Sequence, residues 1–253
     1  MVSGPFYGIK LNRRFTGMFD NYEWFKKEVY KLTQIDLNYY KEKQMRRRID
    51  TLARKNGADS YETYVKIIST DKVKFKQFIN FITINVSEFY RNPDQWRFMD
   101  KEVIPEILKR NKGQIKIWSA ACSTGDEPYS LAMAFSKHVP LSNIRILATD
   151  IDDQVISSAK TGLYSAKSVE NVPADLKKKY FSQVGDSYKI ADEIKRCVTF
   201  KEHNLLKDVY PKDYDLILCR NVVIYFTDEA KDMIYKNFYN SLKPQGILFI
   251  GST

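Results

Sequence analysis

The stretch WSAACSTGDEPYS, residues 118–130, decides how the chain is read. It overlaps the apolar run IKIWSA, which reads as a buried strand, and leads into EPYSLAMAFSKHV, which reads as a helix. A loop between a strand and the next helix is where α/β proteins hold nucleotides, because the free N–H groups of the helix point into it. This loop has one glycine, Gly125, rather than the three of a dinucleotide fingerprint. Ala120, Ala121, Ser123 and Thr124 are nevertheless small enough for backbone to approach a ligand closely. Pro128 suits the first helical turn. Asp126 and Glu127 would repel a pyrophosphate and attract a cation or an amino group.

Moving outward, IRILATD, CVTFKEH, YDLILCR and GILFIGS are further short apolar runs, and helical stretches such as DEAKDMIYKNFYNSLK separate most of them. Strand–helix alternation of this kind predicts a parallel sheet covered on both faces, an α/β, Rossmann-like fold. Residues from about 165 to 197 interrupt it with VPADLKKKYF and SQVGDSYKIADEIKR, in which Gly185-Asp186 marks a hairpin turn, so a small inserted β-subdomain is expected. Upstream, residues from about 20 to 95 read as all helix. Phe25, Val29 and Leu32, then Met45, Ile49 and Leu52, then Phe75, Phe78 and Ile82 recur at helical spacing. Gly57 sits in a helix-stop position, and Asp59 with Glu62 offers a capping box for the next helix. The expected organisation is a flexible arm over 1–18, a helical domain over 19–95 and the α/β domain over 96–253. The last run, GILFIGST, is expected at or near a sheet edge. Exposed apolar edges are normally covered, so either further C-terminal strands are missing or another segment shields it.

Composition narrows the classes. The chain has 253 residues, 43% hydrophobic and 14% aromatic, which is enough for a buried core. No apolar run approaches the ~20 residues of a membrane helix, and the N-terminus lacks the apolar centre of a secretory signal. Cys122, Cys197 and Cys219 lie far apart without CxxC spacing, and the histidines are His138 and His203 alone. This pattern points to a reducing, cytoplasmic setting and to no metal site. A net charge of +10 implies a polyanionic partner: nucleic acid, anionic lipid or an acidic protein surface.

In an open α/β sheet, ligands bind beyond the carboxyl ends of the strands. Asp150 follows the second strand there, Asn204 the third, and Arg220 and Asn221 the fourth. An acid one βα unit after the loop can accept hydrogen bonds from ribose hydroxyls, and an asparagine can pair with an adenine edge. A nucleoside with a positive centre and an amino-acid tail, S-adenosylmethionine, meets these needs. NAD fits worse for want of a phosphate cradle. Taken singly, Asp126 is as well explained as a helix N-terminal charge and Asp150 as a turn acid.

TINVSEFYRN (83–92), WSAACSTGDEPYS, ILATDID (146–152), HNLL (203–206) and CRNVVIYF (219–226) together resemble the chemotaxis receptor methyltransferases, the CheR family. The likeness runs in order from about residue 20 to the end. It implies a helical N-terminal domain, a methyltransferase domain with the inserted β-subdomain, and S-adenosylmethionine as methyl donor, leaving S-adenosylhomocysteine. The implied substrates are glutamate side chains on the cytoplasmic helices of chemoreceptors. Cofactor contacts carried over by motif fall on Asn85, Ser87, Arg91, Asp126, Asp150, Asn204, Leu205, Asn221 and Val222. Arg91 and Tyr225 are the implied catalytic residues. Ser87 and Asp126 stand where relatives often have Thr and Glu, and family members usually continue through a final pair of strands. The basic segment KEKQMRRRIDTLARK (41–55) is implied to recognise the receptor. With Met45, Ile49 and Leu52 on its buried face, Arg46, Arg47 and Arg54 are expected to face outward.

The chemistry suits such residues. An anionic oxygen attacks a methyl on a cationic sulfur, so neither a metal nor a general base is required, and positioning remains. Arg91 can hold a carboxylate or orient the cofactor by its planar fork, and the orienting role is expected because a tight clamp would blunt the nucleophile. A monomer without nucleic-acid binding or membrane insertion is expected. Two rivals stand beside this reading. A nucleic-acid methyltransferase would suit the charge, although NVVIY (221–225) lacks the prolines of adenine amino-methylases. A non-catalytic, cofactor-binding receptor adaptor would retain the pocket without turnover.

Overall fold

The computed structural model describes residues 19–111 and 113–251; the expected arm over 1–18 lies outside them. Four helices come first: α1 (Tyr22–Thr33), α2 (Glu42–Lys55), α3 (Tyr61–Thr70) and α4 (Lys72–Thr83). Their inner stripes converge on aromatic rings. Phe25 stacks on Tyr61 with centroids 4.6 Å apart and meets Phe78 edge-on at 6.3 Å. Leu32 departs from the expected stripe and is 37% exposed at its rim. The cap of α3 also differs by one residue. Ser60 accepts the Thr63 N–H, and Asp59 takes only the Thr63 hydroxyl, because the helix begins at Tyr61, whose ring must enter the core. Asp71 caps α4 through the N–H groups of Val73 and Lys74.

The helical expectation over 20–95 fails at 84–92. Ile84 takes a left-handed φ of 56° and ends α4, and the chain then runs without a helix until α5 (Pro93–Phe98). A π-helical turn over Met99–Val103 joins α5 to α6 (Ile104–Arg110). The α/β portion follows as β1 (Ile115–Ala120), α7 (Asp126–Phe135), β2 (Ile144–Asp150) and α8 (Asp153–Thr161). An insertion then holds β3 (Leu163–Ser165), α9 (Ala174–Tyr180), β4 (Phe181–Val184), β5 (Ser187–Ile190) and α10 (Asp192–Lys195). After it come β6 (Val198–Glu202), β7 (Tyr214–Cys219), α11 (Asp228–Ser241) and β8 (Leu242–Ile250). The main strands form one parallel sheet in the order β6-β2-β1-β7-β8. Those of the insertion pair antiparallel in the order β3-β5-β4, with the β4–β5 hairpin turning at Gly185 as its sequence predicts. The final apolar run is the edge strand β8. Its Ile247, Leu248 and Phe249 are half-buried and Ile250 is exposed.

Alternation along the central strands splits the core in two, as sheets covered on both faces require. Ile115, Ile117, Leu216 and Leu218 pack with Tyr129, Leu131 and Phe135 on one side. Trp118, Ile217 and Cys219 pack on the other side with Phe238 of α11, in a cluster continuous with Phe25, Tyr61 and Phe78. The helical portion and one face of the sheet therefore share a core. Trp118 is fully buried; its indole N–H donates to the Thr149 hydroxyl at 2.9 Å, and Tyr210 and Phe238 meet its ring edge-on at 5.2 and 5.3 Å. The tryptophan of the diagnostic stretch thus anchors the strand that delivers the loop.

Candidate active site

The loop after β1 is shaped by its backbone. Ala121, Ser123 and Gly125 have φ of 64°, 48° and 88°. A Cβ on residue 125 would come within 2.8 Å of the Ala159 Cβ, so only glycine fits there. The Ser123 N–H donates to Asp150 Oδ2 at 2.8 Å, and the Cys122 N–H to the Thr149 carbonyl at 2.8 Å, which ties the loop to the end of β2.

Two adjoining cavities open at the carboxyl ends of the strands, and Thr83, Ala121, Asp150, Val222 and Tyr225 border both. The first is the more polar, with Asn85, Ser87, Arg91, Glu127 and Asn221 on its walls. The second is more apolar, with Tyr40, Ile82, Leu205 and Phe226 around Asn204. Every expected cofactor residue lines one or both cavities except Asp126. That residue is the first of α7; its fully buried carboxylate accepts the Thr124 hydroxyl at 2.5 Å. Burial raises its pKa, against the hydrogen bond from Thr124. Of the two acids that begin α7, Glu127, one step further round the helix, is the one that lines the first cavity.

Several of the wall residues are held by partners. Asp150 is 6% exposed, and its oxygens accept the N–H groups of Ser123 and Asp152 at 2.8 and 3.1 Å. Burial pushes its pKa up to about 6, opposed by those backbone bonds. Asn85 donates to Asp152 Oδ2 at 2.8 Å. Asn204 accepts the Leu206 N–H through Oδ1, while its own N–H donates to Asp208. Arg91 Nη1 donates to the Val86 carbonyl at 2.6 Å, so its side chain folds over its own loop. Arg220, at the end of β7, meets Glu127 at 3.3 Å and donates to the Arg91 carbonyl at 2.7 Å.

Tyr225 ends a 3-10 turn over Val223–Tyr225. Its carbonyl accepts the Lys41 N–H at 2.9 Å, the Thr227 N–H reaches the Tyr39 carbonyl at 2.8 Å, and the Tyr40 and Phe226 rings meet edge-on at 4.9 Å. The segment between α1 and α2 therefore fastens the backbone of Tyr225. Tyr40, Ile82 and Thr83 come to the cavities from the helical portion, and no periodic pattern marks them in the sequence as site residues. Glu127 and Arg220 stand at the right strand ends, but residue type alone assigns neither a task.

Arg46, Arg47 and Arg54 of α2 line a separate groove with Glu42, Lys43, Asp50 and Thr51. Arg47 and Arg54 are exposed as expected. Arg46 is half-buried instead: it donates to the Phe19 carbonyl at 2.9 Å and lies over the Tyr22 ring at 5.4 Å. Arg54 lies over the Phe19 ring at 5.3 Å.

The cavities suit S-adenosylmethionine on structural grounds. Asp150 keeps lone pairs for ribose hydroxyls between an apolar slot and a polar chamber, and Glu127 adds an acid in the polar chamber. The buried Ser123 Oγ and His203 Nε2 have no hydrogen-bond partner among the described residues. This sheet, with its crevice at the strand ends, is that of the S-adenosylmethionine-dependent methyltransferases. The chain belongs to the CheR family: residues 20–83 match the family model "CheR methyltransferase, all-alpha domain" and residues 85–253 match "CheR methyltransferase, SAM binding domain". Similar relatives include a chemotaxis protein methyltransferase of Listeria innocua, 40% identical over 92% of this chain and 89% of that one. One from Borreliella burgdorferi is 32% identical over 89% and 84% respectively. Among solved structures, a TehB-like SAM-dependent methyltransferase from Corynebacterium glutamicum is similar over 62% of this chain and 68% of that chain, at 17% identity and a TM-score of 0.36. The glycopeptide N-methyltransferase MtfA with bound S-adenosylmethionine gives 11% identity over 58% and 48%, also at a TM-score of 0.36.

Proposed function

We propose that this methyltransferase acts in chemotaxis and esterifies glutamate side chains on the helical cytoplasmic region of chemoreceptors. The observation that carries the reading is the meeting of Arg91 and Tyr225 with Asp150 and Glu127 in one cavity, in a chain whose relatives are named chemotaxis protein methyltransferases. When bound, S-adenosylmethionine supplies a methyl on a cationic sulfur. A glutamate is ionised near neutral pH, so the chain needs no base to activate it. Orientation and exclusion of water are the tasks left, and ordering of reactants is worth ~7 kcal/mol or more. Arg91 orients the reacting groups once its fork swings off the Val86 carbonyl, and Tyr225 lines the path of the methyl. Asp150 accepts from the ribose, and Asn204 and Leu205 border the adenine slot. The exposed Arg47 and Arg54, with Arg46 behind them, dock a glutamate-rich helix as a cytoplasmic monomer would require.

The test is transfer of labelled methyl from S-adenosylmethionine to a purified receptor cytoplasmic fragment, beside Arg91→Ala and bulk RNA. Base-labile label on the receptor, formed much more slowly but still measurably by Arg91→Ala, is expected. Label on RNA alone would sink the reading in favour of a nucleic-acid methyltransferase. Cofactor binding without any transfer would favour a receptor adaptor.

A further inference from the structure

Arg220 is 7% exposed, and each nitrogen of its guanidinium has a partner. Nε donates to Gln95 Oε1 at 2.9 Å and Nη1 to Glu127 Oε2 at 3.3 Å. Nη2 donates both to the Arg91 carbonyl at 2.7 Å and to Asn92 Oδ1 at 3.1 Å. Glu127 is itself aimed: its Oε1 accepts the Ser119 hydroxyl at 2.8 Å. The turn they hold is an unusual one. Arg91 lies between Tyr90 and Asn92, whose φ values are 52° and 60°, and neither is glycine. Non-glycine residues persist in the left-handed region only where their surroundings over-determine them. Here Arg220 and the indole N–H of Trp96, at 3.1 Å, together fix the Arg91 carbonyl, and the Tyr90 N–H donates to the Ser130 hydroxyl at 3.1 Å.

We infer that the buried Glu127–Arg220 pair is a positioning device that holds the Tyr90–Asn92 turn in its strained form and so presents Arg91 to the reacting groups. Glu127 neutralises the buried guanidinium and takes Nη1, which leaves Nη2 turned to the turn. The planar fork is essential because one flat group must reach Glu127, Gln95 and the turn at fixed angles; a lysine carries the same charge without that geometry. Arg220 acts through Arg91 and is a positioning residue; Glu127 holds Arg220 and also lines the cofactor cavity. The inference rests on the assignment of Arg91 to methyl transfer made above.

The experiment is a mutant cycle with Arg220→Lys, Glu127→Gln, Arg91→Ala and the Arg91→Ala/Arg220→Lys double variant. Methyl transfer to the receptor fragment is read as kcat and KM, and hydrogen exchange is read across 86–97. Arg220→Lys is expected to lower kcat about 10-fold or more, to speed exchange at 90–92, and to change kcat less than about 3-fold when Arg91 is already alanine. Glu127→Gln, nearly identical in shape, should speed exchange at 90–92 in the same direction and to a smaller degree, and unchanged exchange there would overturn its share in the device. Losses that multiply in the double variant would overturn the inference alone, because they assign Arg220 a task independent of Arg91. Unchanged exchange at 90–92 in Arg220→Lys would overturn it equally. Full transfer by Arg91→Ala would overturn the assignment of Arg91, and the inference with it.

Discussion

Replacing Asp150 by Asn should stabilise the ligand-free protein more as pH rises, while weakening its hold on the cofactor. The carboxyl has its pKa raised from 3.8 to about 6, chiefly by burial. A raised folded-state pKa means that the favourable contribution is complete below about pH 4 and is lost as pH climbs through 6. Above that, the buried charge destabilises the fold by up to about 3 kcal/mol, since each tenfold change in proton affinity is worth about 1.4 kcal/mol. About 1.4 kcal/mol of this develops between pH 5.0 and 7.5 by linkage. Asparagine removes the charge but offers one acceptor oxygen where Asp150 uses two, for Ser123 and Asp152. That lost bond is a constant offset and does not vary with pH. The melting temperature of the variant relative to the parent should therefore rise by about 3–6 °C from pH 5.0 to 7.5, at about 2–4 °C per kcal/mol for a chain of this size. Binding of S-adenosylhomocysteine, followed by calorimetry at pH 7.5, should weaken about 10- to 100-fold through loss of a charged acceptor for the ribose. An offset in melting temperature that is flat across this pH range would refute the reasoning about burial. Unchanged affinity would refute the placement of the ribose.

Gly125→Ala should lower stability by about 2 kcal/mol or more and abolish tight cofactor binding, since φ is 88° and the new Cβ would press on Ala159; a urea midpoint equal to that of the parent would contradict it. Ser60→Ala should remove about 1 kcal/mol from the urea unfolding free energy through loss of the α3 cap, with Asp59→Ala costing less; the reverse order would restore Asp59 as the cap. Tyr164→Phe deletes the 2.8 Å bond from the inserted sheet to the Thr124 carbonyl, and should cost about 1 kcal/mol and loosen cofactor binding several-fold. Unchanged cofactor affinity in Tyr164→Phe would mean that the insertion does not support the loop.

Features that obey a local rule are legible in the sequence. Alternating apolar runs mark the parallel strands, and residues at their ends, Asp150 and Asn204 among them, line the cavities because sheet topology sends every strand end to one place. At Asp126 the expectation and the structure differ by a single helical step. Gly125 starts α7 immediately after itself, so Asp126 turns inward to Thr124 and Glu127 toward the cavity. Arg46 has the spacing of an outward residue, but Phe19 and Tyr22, brought by another part of the chain, draw it in. Tyr40 and Thr83 carry no signature of a site, since their place depends on how the helical portion packs. The break at 84–92 is hidden too: Ile84, an ordinary apolar residue by type, adopts the left-handed conformation that ends α4.

The bridge between Tyr40 and Phe226 makes the two family domains poor candidates for exchange. A chimera that grafts a foreign helical domain onto this methyltransferase would replace the strand-like backbone from which Tyr225 hangs, even if every residue of the cavity on the sheet side were retained. Under the proposed function, receptor docking by α2 and methyl transfer beside Tyr225 would be inherited through one short stretch of chain. If the proposed docking holds, a lineage that changed its receptor by swapping the helical domain would have to re-fit residues 39–41 to 225–227 at the same time.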